Sequence, residues 1–186
     1  MVYNIPMRII SGKYKGRKLV APKNDTRPTL DRAKETLFNM LNGVLNGATV
    51  LDLFAGSGQV ALECLSRGAA RAVMCDNGRD AAAAIAENFA KVGEKPELFR
   101  CEYGQCLRSL QSTGAKFDLV YVDPPYNAGY YDDVLKSLVA LDLLNVGGMV
   151  VCEHPADMTL SAPSDRLSLL KQRKVGTVMF DFYEFN

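Results

Sequence analysis

Three aspartates in this chain lie at the carboxyl ends of short apolar runs, namely Asp52, Asp76 and Asp123. Ligands of open α/β sheets bind at that edge of the strands, so we expect the three carboxylates to face one site. Asp52 is followed by Gly56 and Gly58, which let the backbone pass close to a ligand. A carboxylate against this turn would repel a pyrophosphate and suits a cationic amino group, such as that of S-adenosylmethionine. Asp76 is placed to accept both hydroxyls of a ribose.

Asp123, Pro124, Pro125 and Tyr126 form a second group with chemical potential. The proline pair stiffens the exit from the strand and holds Asp123 extended. The Asp123 carboxylate and the Pro124 carbonyl can then accept hydrogen bonds from an exocyclic NH2 group and aim its nitrogen at an electrophilic methyl group. Tyr126 can stack on the base that carries the amine. A Pro-Pro pair by itself is common in rigid surface turns, so the prediction rests on its neighbours.

The glycine turn also permits other interpretations. Its continuation through Gln59 to Ala61 completes a G-x-G-x-x-A pattern, which is found in nicotinamide-binding proteins. A tight strand-to-helix turn of any α/β protein would have the same glycines. Asp52 favours the S-adenosylmethionine interpretation over both.

The elements that must position these residues alternate between strand and helix. We predict strands at 48–54, 71–76, 97–101, 117–123 and 148–153, with helices at 29–41, 59–67, 79–91, 105–110 and 130–141. Thr29 is the expected cap of the first helix, and Gly43 or Gly47 its end. Residues 167–185 read as a closing hairpin around Gly176. The pattern predicts a doubly wound α/β fold, with a mostly parallel sheet, helices on both faces, and an antiparallel strand at or near one edge.

The charge is distributed unevenly along the chain, although the formal net charge is only +1. Residues 1–36 carry nine basic and three acidic groups, a net charge of +6, and residues 37–186 have a net charge of −5. Arg8 to Val20 reads as a small basic β-hairpin. We therefore predict an N-terminal extension at 1–28 that contacts a polyanion and a main domain at 29–186. A solvated lysine-rich terminus would give the same count.

Cysteine, histidine and hydropathy patterns exclude several classes of protein. The five cysteines contain no C-x-x-C pair, which predicts reduced thiols in a core and no zinc site or other metal site. The only histidine, His154, has no nucleophile beside it in sequence, which counts against a hydrolase. Without a run of ~20 apolar residues or a leader-like start, we expect a cytoplasmic protein.

The motifs together resemble those of the RsmD family of S-adenosylmethionine-dependent methyltransferases. The resemblance rests on the order and spacing of four segments, Arg8 to Leu19, Arg27 to Asn39, Asp52 to Gly58 and Asp123 to Tyr126. It covers about residues 7 to 185. The resemblance implies a seven-stranded, Rossmann-like class I methyltransferase with an N-terminal β-hairpin that engages RNA. It also implies transfer of methyl to N2 of a guanine in small-subunit (16S) ribosomal RNA, in this family guanine 966.

The resemblance assigns further residues to the site. Besides the aspartates and glycines above, it implies cofactor contacts at Arg27, Thr29, Phe54, Ala55, Asn77, Gln105 and Cys106. Gln105 stands where we align the Asp or Asn that meets the adenine amine in the family. The basic residues expected to hold RNA phosphates are Arg8, Lys13, Lys15, Arg17, Lys18 and Arg32.

The expected reaction is a direct transfer from the sulfonium to the guanine amine, with no covalent intermediate. Asp123 and Pro124 hold the amine, and the base leaves its stack to reach the pocket. The expected partner is 16S ribosomal RNA, free or in an assembled particle, and the expected state is a monomer. An adenine-N6 DNA methyltransferase and a non-catalytic RNA-binding assembly factor remain as alternatives, and a nicotinamide oxidoreductase ranks last.

Overall fold

A computed structural model of the protein describes residues 7–23, 31–125, 129–160 and 164–186. Each predicted strand and helix from residue 31 onward has a counterpart in it. The strands are β1 (Thr49–Asp52), β2 (Arg71–Cys75), β3 (Glu97–Phe99), β4 (Phe117–Val122), β5 (Leu144–Pro155), β6 (Leu167–Val175) and β7 (Val178–Phe185). The helices are α1 (Asp31–Met40), α2 (Gln59–Ser66), α3 (Arg79–Val92), α4 (Tyr103–Ser112) and α5 (Tyr130–Ala140).

The described strands form one seven-stranded sheet in the order β3-β2-β1-β4-β5-β7-β6. Strands β1 to β5 run parallel to one another, and β7 runs antiparallel between β5 and β6. The predicted α/β fold with one reversed strand near an edge is therefore confirmed, and the sheet is mixed. Strand β5 is longer than predicted, because it starts at Leu144 and reaches Pro155.

Two helical layers cover the sheet. Helices α1, α2 and α3 pack on one face, where Phe38 and Phe89 are fully buried. Helices α4 and α5 pack on the other, around Leu107 and Leu135. Burial on both faces explains why the central strands are continuous apolar runs. Their parallel pairing places their carboxyl ends at one edge of the sheet. Among the described helices, none is long and apolar enough to cross a membrane.

The predicted N-terminal β-hairpin is not confirmed as two strands. Residues 7–23 contain one isolated antiparallel bridge, between Arg8 and Lys18, and no strand. The backbone N–H groups of Ile10 and Ser11 donate to the buried carboxylate of Glu63 in α2, at 2.7 and 3.0 Å. Hairpin-like bonds are nevertheless present, because the Ile9 N–H donates to the Arg17 carbonyl at 3.0 Å and the Leu19 N–H donates to the Met7 carbonyl at 2.8 Å. The domain boundary near residue 28 falls at 24–30, outside the described residues, and stays a prediction.

Candidate functional site

The three aspartates lie at one edge of the sheet. Asp52 ends β1, Asp76 follows β2, and Asp123 follows β4. These strands are neighbours in the order β2-β1-β4, and neighbouring strands are about 4.8 Å apart. Asp52 lies in the middle and is buried, whereas Asp76 and Asp123 are half-buried and reach the opening.

The glycine turn after β1 is bonded to the acid of the next strand. Gly56 has φ 52° and Gly58 has φ 73°, both in the left-handed region that favours glycine. The Gly56 N–H donates to Asp76 Oδ2 at 2.8 Å, and the Gly78 N–H donates to Asp76 Oδ1 at 2.8 Å. Since each carboxylate oxygen has a second lone pair, Asp76 can still accept two hydroxyl groups. Ala55 lies within the turn, where its N–H donates to the Cys75 carbonyl at 3.0 Å.

Asp52 has a buried oxygen without a partner. Its side chain is 1% exposed, and among the described residues Oδ2 accepts no hydrogen bond. The N–H of Ala61, in the first turn of α2, bonds to the carboxylate. Burial, aided by the negative charge of Asp76, nevertheless raises the pKa of Asp52 to about 7. An unpaired buried carboxylate beside the glycine turn fits a cationic amino group, so the residues present fit S-adenosylmethionine.

Glu102 is a site candidate that the sequence prediction missed. Asn77, just after β2, donates from its side-chain amide to the carboxylate of Glu102, the residue that precedes α4. Gln105 lies one turn further along α4 and is exposed. Cys106 is fully buried and interacts with the Cys75 thiol, which places it in the core. Glu102 follows the β3 region directly, and an acid at the end of a third parallel strand was the available signal.

Three aromatic rings line the α4 and α5 side of the same edge. The Phe54 and Tyr130 rings stack, with centroids 6.0 Å apart and 3° between their planes. The Tyr103 ring lies 5.2 Å from Tyr130 and 5.7 Å from Phe54. Its hydroxyl donates to Asp133 at 2.6 Å, and this bond raises the pKa of Tyr103 to about 12. Phe54 was predicted as a site residue, and the two tyrosines were not.

The segment after β4 passes from the core to the surface. Asp123 is half-buried, Pro124 is buried and Pro125 is exposed. Asp123 therefore stands at the boundary between the core and the opening. Tyr126, together with Arg27 and Thr29 of the cofactor prediction, lies outside the described residues, and its predicted role stays a prediction.

A buried polar cluster includes Tyr121, which lies two residues before Asp123. The Tyr121 hydroxyl donates to the Glu153 carboxylate, and Lys34 of α1 attracts the same carboxylate. All three side chains are at most 3% exposed. Burial, together with the charges of Glu153 and Asp123, raises the pKa of Tyr121 well above its ordinary value. Lys34 was counted in the net charge of residues 1–36, but the structure places its charge inside the protein.

The predicted RNA-binding residues are all exposed, at positions 8, 13, 15, 17, 18 and 32. Lys13 is partly neutralised, because its Nζ lies 3.0 Å from Glu94 and over the Tyr14 ring. The carbonyl of Arg8 accepts from the side chain of Gln59 at the start of α2. Arg8 and its bridge partner Lys18 therefore flank the glycine turn.

The sheet order and this edge define a class of protein, the S-adenosylmethionine-dependent methyltransferases with a Rossmann-like fold. Comparison with known proteins narrows the class. The chain belongs to the family described as "Conserved hypothetical protein 95", whose family model matches residues 7–184.

The relatives are similar over nearly their whole length. The chain is 33% identical over 179 residues to the ribosomal RNA small subunit methyltransferase D of Escherichia coli K12, covering 96% of this chain and 89% of that protein. It is 30% identical to the putative rRNA methyltransferase YlbH of Bacillus subtilis, covering 96% and 98%. The solved structure of the putative methyltransferase yhhF from Escherichia coli has a TM-score of 0.82 and 32% identity, covering 97% and 98%.

Proposed function

We propose that this protein methylates small-subunit ribosomal RNA, at the exocyclic N2 of a guanine, with S-adenosylmethionine as the methyl donor. One structural observation carries the proposal. The unpaired, buried Oδ2 of Asp52 and the Asp123-Pro124-Pro125 turn lie at the same edge of adjacent strands. The first suits a cationic amino group, and the second suits a base amine. The names of the relatives above support ribosomal RNA as the substrate. The family resemblance supports guanine N2 as the methylated atom and position 966 as the target.

The residues of this chain would hold the donor in three places. Asp52 would receive its amino group, Asp76 its ribose hydroxyls, and Glu102 or Gln105 its adenine amine. When bound, the donor supplies a methyl group on a sulfonium, which is electrophilic without further activation. The protein therefore needs to supply binding and orientation more than acid–base chemistry.

Asp123 and the Pro124 carbonyl would accept the two N–H bonds of the guanine amine. This orients the nitrogen lone pair and stabilises the positive charge that develops on the nitrogen as the new N–C bond forms. The proton that this nitrogen then loses passes to Asp123 or to water. Tyr121, Glu153 and Lys34 would stabilise the end of β4 that leads into this turn, because the buried Glu153 carboxylate accepts from Tyr121 and is attracted by Lys34.

The proposal is tested with small-subunit particles and 16S ribosomal RNA from cells that lack this gene. We expect tritium transfer from labelled S-adenosylmethionine to a guanine, mapped to position 966. Asp123→Ala should abolish transfer and leave RNA affinity nearly unchanged. Asp157→Ala, which removes an exposed acid just after β5, is the matched control and should retain full activity.

Other outcomes would replace the proposal. Methylation of adenine in plasmid DNA would favour a DNA methyltransferase. Failure to bind S-adenosylmethionine in calorimetry, with RNA binding intact, would favour a non-catalytic assembly factor. Full activity of Asp123→Ala would contradict the mechanism.

A further inference from the structure

Strand β6 is an edge strand whose surface the proposed reaction does not use. From Ser168 to Lys174 every residue is exposed, and the strand carries Lys171, Arg173 and Lys174 with no acidic residue. Its carboxyl end is paired with the start of β7, where Val175 lies opposite Val178. Val178 in turn lies opposite Pro155 at the end of β5. The basic end of β6 therefore reaches the edge of the sheet that holds Asp123.

The three charges on β6 are not neutralised by neighbours. Elsewhere on the surface, several cations have a carboxylate within 4.0 Å, namely Lys13, Arg67, Arg71, Lys91 and Lys116. In the described part of the chain Lys171, Arg173 and Lys174 form no such pair. Lys171 instead places its Nζ 5.0 Å from the centre of the Phe182 ring. Unpaired cations on an exposed strand are available for phosphate groups.

Strand β6 lies close enough to Asp123 for its basic residues to contact the same RNA substrate. In the order β4-β5-β7-β6, β6 lies three strands from Asp123, or roughly 14 Å at the usual strand spacing. Arg8 and Lys18 flank the glycine turn after β1, on the opposite side of Asp123. The opening of the site is therefore bordered by basic residues on both sides, within reach of an RNA strand of a few nucleotides.

We infer that Lys171, Arg173 and Lys174 of β6 form a second RNA-binding surface, which contacts the phosphate backbone on the side of the target base opposite to the N-terminal segment. This inference rests on the proposed function and adds a binding surface to it. Lysines also occur on edge strands to prevent pairing with other sheets. The exposed Leu169 and Leu170 would equally suit a contact with a protein of the particle. The experiment below distinguishes RNA binding from protection of the sheet edge and from contact with a protein.

The experiment compares two double variants that each remove one arginine and one lysine. Arg173→Gln with Lys174→Gln alters β6, and Arg108→Gln with Lys136→Gln alters α4 and α5, where both side chains are exposed. Lys171 is left in place because it covers Phe182. Affinity for a naked 16S ribosomal RNA fragment containing the methylated guanine is measured between 50 and 300 mM salt. S-adenosylhomocysteine affinity and thermal midpoint show whether each variant is folded.

We expect the β6 variant to bind the RNA about tenfold more weakly at low salt and to lower the slope of log K against log salt by about 2. Its KM for RNA should rise while kcat, S-adenosylhomocysteine affinity and thermal midpoint match those of the control. Equal RNA affinity and slope in the two variants would overturn the inference. So would self-association of the β6 variant with unchanged RNA affinity, or a loss of affinity confined to the assembled particle. If the wild-type protein binds and methylates RNA in these cases, the proposed function stands without the second surface.

Discussion

The backbone N–H of Gly56 donates to Oδ2 of Asp76 at 2.8 Å, and this bond joins the glycine turn after β1 to the acid after β2. The other oxygen of Asp76 accepts from Gly78. A single side chain therefore fixes two loops that would border the donor. The same carboxylate retains lone pairs that face the opening. We therefore expect both the geometry of these two loops and the affinity for the methyl donor to depend on Asp76.

Replacement of Asp76 by alanine tests this dual role. We expect Asp76→Ala to weaken S-adenosylhomocysteine binding by on the order of 100-fold, because ribose contacts and loop geometry are lost together. The free energy of unfolding should fall by about 1–2 kcal/mol, since two backbone donors lose a charged acceptor. Calorimetry and urea unfolding measure the two effects. If binding falls without a change in stability, Asp76 contacts the ligand but does not hold the loops.

The raised pKa of Asp52 predicts that binding of the methyl donor depends on pH. Its pKa is about 7 in the folded protein against an ordinary value of 3.8, so below about pH 7 a proton competes with the amino group of the ligand. Affinity for S-adenosylhomocysteine should therefore rise up to about pH 7 and level off above it, by up to tenfold per pH unit on the acidic side. Methylthioadenosine, which lacks the amino acid part, should bind with little pH dependence. A flat profile for both ligands would contradict the assignment.

The raised pKa of Asp52 also predicts how this residue affects the free energy of unfolding at different pH values. Because the folded pKa is above the unfolded one, the unfolded chain loses this proton first, near pH 4, and the contribution of Asp52 falls as pH rises from about 4 to 7. Asp52→Asn imitates the protonated form. We expect it to change stability little at pH 4 and to increase it by as much as roughly 3–4 kcal/mol at pH 8 in the absence of ligand. Urea unfolding at the two pH values checks this, and an equal effect at both would contradict it.

The sequence predicted the elements better than the contacts between them. Apolar runs such as 117–123 and left-handed glycines such as Gly58 act locally, so their strands and turns could be placed from the sequence. The contacts of the N-terminal segment could not be predicted, because Ile10 and Ser11 bond to Glu63, which lies more than 50 residues away in the sequence. The pairing of Lys34 with Glu153 depends on how α1 packs against β5. No local pattern contains that information.

Glu102 and Gln105 are alternative candidates for the residue that binds the adenine amine, and replacing each one tests which of them does. Glu102 accepts a hydrogen bond from Asn77, the residue after Asp76, whereas Gln105 lies one turn further along α4; both side chains are exposed. We expect Glu102→Ala to weaken S-adenosylhomocysteine binding about tenfold, the loss of one hydrogen bond of about 1.4 kcal/mol, and Gln105→Ala to change it less than twofold. Calorimetry on the two variants decides between them. The reverse order would restore Gln105 as the adenine ligand.

Glu63 links the basic N-terminal segment to the methyltransferase fold. Its carboxylate is 1% exposed and accepts hydrogen bonds from Ile10, Ser11 and, at 2.7 Å, Arg67. Glu63→Ala leaves these donors without a charged acceptor, so we expect a loss of about 3 kcal/mol in unfolding free energy and earlier proteolysis within residues 7–23.

Glu87 provides the matched control for this replacement, because it pairs with Lys91 on the exposed surface of α3. Glu87→Ala should cost no more than about 0.5 kcal/mol. Since Glu63 holds the segment that carries Arg8 and Lys18, its replacement should weaken RNA binding more than S-adenosylhomocysteine binding. Urea unfolding, limited proteolysis and the two affinities measure this. Equal stability of the two variants, or equal losses of RNA and S-adenosylhomocysteine affinity, would mean that the segment is not held in place through Glu63.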